Sequence, residues 1–279
     1  MILYPNAKVN LGLDIVRRRA DGYHDISTVF YPINLTDILE VVPAKGDDAT
    51  LTTYGRHIDC PVEKNLVMKA YRLMQREFAA PPVDIYLTKI IPDGAGLGGG
   101  SADAAFTMLA VNEVFGLGVP QQKLAALAAT IGADCPFFIY NRPMSATGIG
   151  DVLTDCSVSL KGYKMLLVKS DDISVPTKLA YSRVTPQVPD IDVTEIISRP
   201  VAEWQGVLKN DFEPSVFASF PQLSELKARL LDSGAVYAAM SGSGSSVFGI
   251  FDSANMAECD KLAEFGNVLT QMQLFSNYA

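Results

Sequence analysis

Pro92-Asp93-Gly94-Ala95-Gly96-Leu97-Gly98-Gly99-Gly100-Ser101 is the stretch on which the chain turns, with five glycines in ten residues. Ahead of it, Val83, Ile85 and Leu87 alternate with Asp84, Tyr86 and Thr88, which predicts a strand over Val83 to Ile90 with one wet face. Behind it, Ala102 to Phe115 is rich in Ala, Leu and Met and predicts a helix, with the Ser101 hydroxyl at its N-cap. A strand, a glycine loop and a helix start together form an anion cradle. The first backbone N–H groups of a helix are unpaired and carry partial positive charge. Glycines let the main chain close on a phosphate with no Cβ in the way. Asp103 suits the helix dipole but repels a bare phosphate, so this reading needs a divalent cation between them or a side chain turned away.

Other phosphate sites fit less well. Gly94, Gly96 and Gly99 spell G-x-G-x-x-G, the fingerprint of a dinucleotide fold. The first strand of such a fold is buried on both faces and continuously apolar, whereas Val83 to Ile90 alternates. The acid expected about 20 residues on is also missing, because Glu113 lies inside the predicted helix. No Gly-Lys-Ser/Thr follows, so the loop is not a Walker A motif. A loop kept flexible for packing alone would cost much chain entropy for no return.

The 279 residues suffice for one large domain or two ordinary ones, and 48% hydrophobic with 19% charged residues describes a globular protein. A net charge of −8 argues against nucleic acid as a partner. An anionic ligand must therefore be met by local donors. No apolar run reaches the ~18 residues of a membrane span, and no basic-then-apolar start marks a signal peptide. Cys60, Cys135, Cys156 and Cys259 are scattered, with no C-x-x-C and two histidines in all, so neither a disulfide framework nor a zinc site is expected. These features predict a reduced, cytoplasmic protein.

Ala7 to Ile15 predicts the first strand, with Ala7, Val9, Leu11, Leu13 and Ile15 on one face and Lys8, Asn10, Gly12 and Asp14 on the other. Asp21-Gly22 marks a turn, followed by Tyr23 and His24, which could stack on and hydrogen-bond a flat ring. Thr28 to Val42 reads as one strand, Ala49 to Tyr54 as a shorter one, and Asn65 to Phe78 as a helix ended by Pro81-Pro82. A helix over Pro120 to Ile131 stops at Gly132. In Gly132 to Ile139 one carboxylate, Asp134, stands in an apolar run. It serves either as a turn-former before proline or as a partly desolvated base with a raised pKa. Thr147 to Asp151 opens a strand toward Leu153. Past Ser157 the chain enters a second unit. It alternates strands (Met165 to Lys169, Ala235 to Met240, Val247 to Phe251, Asn267 to Phe275) with short helical pieces, a helix over Gln222 to Leu231 and another over Ala254 to Phe265. Ser241 to Ser246 is a second glycine-rich loop, longer than most hairpin turns. The whole reads as α+β.

Taken together, these segments resemble the GHMP family of small-molecule kinases. Its central motif is matched by Pro92 to Ser101. Supporting stretches, in the family's order, are Ala7 to Leu13, Arg19 to His24 (R-A-D-G-Y-H), Gly132 to Phe138 (G-A-D-C-P-F-F), Thr147 to Asp151 and Ser241 to Phe248. The resemblance implies a ribosomal-protein-S5-like N-terminal domain, residues 1–158, and a ferredoxin-like C-terminal domain, residues 159–279, with the active site in the cleft between. It implies ATP with Mg²⁺ at the glycine loop, Ala102 included, with Asn65 and Lys89 on the nucleotide side; the metal's ligands are unknown. Lys8 and Asp134 would be the catalytic pair. Asn10, Tyr23, His24 and Tyr181 would hold an acceptor bearing cytidine diphosphate on a polyol, its diphosphate on Gly242, Ser243 and Gly244. Ala102 departs from the family's usual serine. Homoserine, mevalonate or sugar acceptors are the alternatives within the fold, a non-catalytic binding protein the alternative outside enzymes.

Overall fold

The computed structural model describes residues 1–169 and 172–252, and the backbone of one further strand, 267–273. The helix expected over Ala254 to Phe265 lies outside the described residues. Packing divides the chain into two compact units that are not consecutive in sequence. The first gathers Met1–Lys8, Asn34–Asp93 and Gly98–Arg142; the second gathers Val9–Ile33, Gly94–Leu97 and Pro143–Ala279.

The first unit is built on a sheet of β1 (Ile2–Leu3), β4 (Ile38–Pro43), β6 (Val83–Lys89) and β5 (Thr50–Gly55), in that order across the sheet. The β4 strand runs antiparallel to both β1 and β6, and β5 lies parallel to β6. Burial along β6 alternates strictly, with Val83, Ile85 and Leu87 inside. Helix α1 (Leu66–Phe78) buries Val67, Ala70, Tyr71 and Met74, the spacing of one helix face. It begins at Asn65, whose Oδ1 accepts from the Val67 N–H at 3.0 Å. It ends at Ala79 in a left-handed conformation ahead of the two prolines. Helix α2 (Gly99–Val114) packs on α1 and β4, and α4 (Cys135–Tyr140) packs on α2 and on α3 (Gln121–Ala128). The small residues Ala102, Ala104, Ala105 and Ala110 are fully buried, which lets α2 lie close to its neighbours.

The second unit holds two four-stranded sheets. One runs β2 (Asn6–Arg18), β3 (His24–Thr36), β7 (Met144–Thr147), β8 (Val152–Asp155). The other runs β10 (Tyr237–Met240), β11 (Ser246–Asp252), β9 (Tyr163–Lys169), β12 (Asn267–Gln273), antiparallel throughout. Helix α5 (Thr177–Ser182), α6 (Val193–Ile197), α7 (Glu213–Ser219) and α8 (Pro221–Asp232) complete it. Leu166, Val168, Leu223, Leu230, Ala238, Val247 and Phe251 share one apolar cluster with Leu13, Ile15 and Ile26.

Two expectations are corrected. Thr28 to Val42 is two strands in two sheets, broken at Asp37. Asp37 accepts from the N–H groups of Ile90 and Ile91, so its carboxylate turns the chain. Thr147 to Asp151 opens the strand toward Leu153 as read, by way of the turn joining β7 to β8, with Gly148 and Gly150 at positive φ. The second face of β2 is buried as well as the first, Lys8 at 4% and Asn10 at 2% exposure. Helix α2 starts before Ser101: Gly98 at φ 72° is its N-cap and makes no side-chain bond. A left-handed glycine starts the helix where a hydroxyl was expected.

Candidate functional site

Within the first unit, Lys8 Nζ stands 3.5 Å from Asp134 Oδ2, and 5% of the lysine side chain is exposed against 33% of the aspartate's. Asp134 occupies the residue before α4, yet its side chain makes no capping bond. Its carboxylate is left to Lys8 and to whatever enters from solvent. Gly98 lies beside the pair. A Cβ there would come within 2.9 Å of the Phe138 ring and 3.4 Å of Lys8 Cε, at a φ that suits glycine alone. Packing therefore seats the start of α2 against the lysine stem. Cys135 is next in sequence, and burial pushes its thiol up to about 12, so it is inert as a nucleophile.

Beneath the same helix start lies a buried ion cluster. Lys89 Nζ donates to Asp37 Oδ2 at 2.5 Å and to Asp103 Oδ2 at 2.8 Å, and all three side chains are essentially enclosed. Burial works against the Lys89 charge, but Asp103 and Asp37 outweigh it and raise its pKa. Burial and the nearby Asp37 raise the Asp103 carboxyl against the pull of Lys89. Asp103 Oδ1 is buried with no hydrogen-bond partner among the described residues. A Cβ on Gly99 would sit 2.8 Å from Ile91 Cγ2 and 3.2 Å from Lys89 Nζ, so the main chain at Gly99 rests directly on this cluster. Asp103 thus turns away from the loop mouth. Asn65 is committed to capping α1. Ala102 is fully buried and its N–H donates to Gly98 O at 2.9 Å.

In the second unit the middle of the loop, Gly94 to Leu97, docks on the second glycine loop. Ser241 Oγ donates to Gly96 O at 2.8 Å, and the Ser246 N–H to Ala95 O at 3.2 Å. A Cβ on Gly96 would lie 2.0 Å from Ser241 O, with φ at +75°. The Asn10 N–H donates to Ser241 Oγ at 3.3 Å, and Asn10 Nδ2 donates to Thr28 Oγ1 at 3.0 Å. Asn210 Nδ2 reaches Met240 O at 2.7 Å and Gly242 O at 2.9 Å, pinning the base of the loop. Glu213 Oε1 accepts from the Met240 N–H at 2.8 Å and Oε2 pairs with Lys227. Ser243 Oγ lies 3.2 Å from Thr177 Oγ1, and a Cβ on Gly244 would lie 2.7 Å from Met240 Sδ. Sequence reasoning missed Asn210, Glu213 and Asp37. The signal was a set of polar residues at turns, Asp37 and the run Lys209-Asn210-Asp211-Phe212-Glu213.

The His24 and Tyr181 rings stack with centroids 5.0 Å apart, and Tyr181 meets Phe212 edge-on at 4.7 Å. Burial and then Arg18 lower the His24 pKa, so the imidazole is neutral near neutral pH and its two nitrogens can donate and accept. Tyr23 is exposed, its N–H held by Asp21 Oδ1 at 3.0 Å. Among the described residues no group of three or more His, Cys, Asp or Glu side chains is arranged to hold a metal. No described helix is long and apolar enough to cross a membrane.

A buried lysine against a carboxylate one-third open, beside a glycine-capped helix start, is an arrangement that suits phosphoryl transfer between oxygens. The family models for the GHMP kinases N terminal domain and the GHMP kinases C terminal region match residues 65–142 and 198–267, and the chain belongs to the GHMP kinase family. It is 53% identical over 253 residues to the 4-diphosphocytidyl-2-C-methyl-D-erythritol kinase of Bacteroides fragilis, covering 90% of this chain and 92% of the relative. It is 49% identical over 271 residues to the same-named kinase of Porphyromonas gingivalis, covering 93% and 97%. A crystal structure of 4-(cytidine 5'-diphospho)-2C-methyl-D-erythritol kinase superposes with a TM-score of 0.81 at 35% identity, over 95% of this chain and 96% of the other. The mevalonate kinase of Methanococcus jannaschii superposes with a TM-score of 0.71 at 14% identity, over 95% of each chain, a likeness of fold alone.

Proposed function

We propose that this chain transfers the γ-phosphoryl group of ATP to the 2-hydroxyl of 4-diphosphocytidyl-2-C-methyl-D-erythritol, a step of non-mevalonate (MEP) isoprenoid precursor synthesis. The observation that carries the chemistry is the Lys8–Asp134 pair at 3.5 Å. The identity to relatives of that name over nine-tenths of the chain supports the acceptor.

Asp134 takes the proton of the 2-hydroxyl as its oxygen attacks the γ-phosphorus. The bond from that phosphorus to the β,γ-bridging oxygen breaks, and ADP leaves. Lys8 balances the charge of Asp134 and the charge growing on the transferred group. The main-chain N–H groups between Gly94 and Ser101 face the nucleotide's phosphates. Lys89 and Asn65 support them from below, since the side chains of both are engaged elsewhere. Mg²⁺ enters as MgATP.

The acceptor is assigned to the second unit. His24 reads the cytosine edge, Tyr181 and Tyr23 flank the ring, Asn10 holds the polyol, and Gly242, Ser243 and Gly244 meet the diphosphate through main-chain N–H groups. The stacked His24–Tyr181 pair favours an acceptor with a flat base over homoserine, mevalonate or a sugar.

The finer fold reading is part of this proposal. The order β10, β11, β9, β12 is second, third, first, fourth in chain order and antiparallel throughout, which supports a ferredoxin-like C-terminal half. The S5-like N-terminal half and a boundary near 158/159 fit the two family segments, which fall on either side of it. The two sets of residues acting on one acceptor, the absence of a nucleic-acid partner and a cytoplasmic location belong to the same reading. The test is phosphorylation by the purified chain and MgATP of the cytidine compound, homoserine, mevalonate and a sugar, side by side. Turnover of the first alone is expected; turnover of another at comparable kcat/KM overturns the acceptor.

A further inference from the structure

The cluster of Asp37, Lys89 and Asp103 holds two carboxylates and one ammonium, all buried, under the main chain that the nucleotide-binding reading gives to phosphate. Three features are hard to explain as packing alone. The cluster has an acid in excess, so with every group ionised it carries one negative charge out of reach of water, a costly arrangement. The excess is localised: Asp37 accepts three hydrogen bonds, from Lys89 and the N–H groups of Ile90 and Ile91, whereas Asp103 accepts from Lys89 on Oδ2, lies beside the Asp37 carboxylate, and has no partner on Oδ1 among the described residues. The cluster also touches the loop, since Lys89 Nζ would stand 3.2 Å from a Cβ on Gly99.

The elements packed on α2 add little charge. The buried faces of α1, α3 and α4 are apolar but for Tyr71, whose hydroxyl donates to Pro81 O, and Cys135, which bonds to Ser101. On β4, Leu39 and Val41 are the buried residues. Lys89 and Asp37 are therefore the charged partners Asp103 answers to among the described residues.

We propose that Asp103 takes up a proton when the nucleotide's phosphates settle on the loop above it, with Lys89 and Asp37 as the positioning pair that holds it there. Phosphate brings negative charge to the helix start. An ionised Asp103 in a medium of low permittivity opposes it, and protonation removes the opposition. The neighbouring Asp37 carboxylate can accept the hydrogen bond of the protonated Asp103. The raised pKa of the free state agrees, because a group poised near neutrality is readily tipped. The sign follows from linkage. Affinity is greatest below the free-state pKa of Asp103 and falls as pH rises through it. The fall levels off only above the higher pKa of the bound state, and its slope is at most about tenfold per pH unit for one proton.

The inference rests on nucleotide binding at this loop, and the experiment separates the two. Binding of MgATP to the full chain is measured by calorimetry in two buffers of different ionisation enthalpy at mildly alkaline pH, for the wild type and for Asp103→Asn. The expected result is net proton uptake by the wild type and loss of that uptake in the variant, whose affinity no longer falls with pH. The ligand's own protons cancel in the comparison. Equal proton counts in the two proteins overturn the proposal. Should the variant fail to fold, the wild type alone decides: a dissociation constant that stays flat from neutral to alkaline pH overturns it, and one that rises up to tenfold per unit supports it. No binding of MgATP by the wild type would overturn the site itself, and the inference with it.

Discussion

Lys8 and Asp134 face each other with unequal access to water, the lysine enclosed and the aspartate one-third open. That asymmetry suits the roles proposed for them: the open group meets the acceptor, and the closed one balances the charge beside it. Asp134→Asn keeps the shape and removes the base. Turnover is expected to fall by about 10²- to 10⁴-fold with the dissociation constant for ATP little changed; steady-state kinetics beside ATP titration checks this, and near-normal kcat would contradict it. His24→Ala is expected to weaken the cytidine acceptor's KM while leaving that of ATP alone, since His24 stacks on Tyr181 and belongs to the second unit; equal loss of both would remove His24 from the acceptor. At this scale the sequence was a good guide to which residues carry charge and a poor guide to what surrounds them. Lys89 reads as a residue of the nucleotide side, and nothing in the spacing shows that burial and two acids enclose it. Asp37 cannot be singled out from spacing, because its partners lie more than fifty residues away.

Elements are where local pattern and tertiary packing compete. The alternation in β6 and the helical spacing in α1 are intrinsic and appear as expected. The break between β3 and β4 does not, because strand-like alternation continues on both sides of Asp37 and hides a change of sheet, with the Asp37 carboxylate bonded to Ile90 and Ile91 far along the chain. The α7 helix was missed because its start, Glu213-Pro214, reads as a turn, while the structure uses that proline in the first turn, where a missing N–H costs nothing. The two glycine loops give the sharpest contrast. Gly96→Ala places a Cβ 2.0 Å from a carbonyl oxygen at positive φ and is expected to destabilise by ~3 kcal/mol or more. Gly100→Ala meets only Leu66 Cδ1 at 3.7 Å in a helical turn and is expected to be neutral or to stabilise by up to about 1 kcal/mol. Thermal unfolding of the two proteins checks the pair, and equal melting temperatures would contradict the close approach at Gly96. Asn210→Ala leaves the carbonyls of Met240 and Gly242 without a donor, at a cost of about 1–3 kcal/mol, and should raise KM for the acceptor more than for ATP.

At the scale of the whole molecule, stability and chemistry draw on different acids. Asp14 is pushed up to about 7 by burial and by Asp211 and Asp192, and its Oδ2 is buried without a partner among the described residues. A carboxyl raised on folding adds stability that is full below its unfolded pKa and is lost as pH rises through the folded value. Asp14→Asn is therefore expected to raise the melting temperature by a few degrees above pH 7, about 1 kcal/mol once solvent screening is allowed for. The gain should vanish toward pH 4; a gain independent of pH would assign it to another cause. The α+β class and the order of motifs were legible in the sequence because each motif is a local run. The grouping of residues 9–33 and 94–97 with the second packing unit was not, since it rests on contacts made far along the chain. The most direct measurement incubates the purified chain with MgATP and 4-diphosphocytidyl-2-C-methyl-D-erythritol and follows the acceptor by mass and phosphorus NMR. One phosphoryl group on the 2-hydroxyl, formed with one ADP and nearly abolished in Asp134→Asn, is the predicted result. An unmodified acceptor, or a product formed equally well without Asp134, would contradict it.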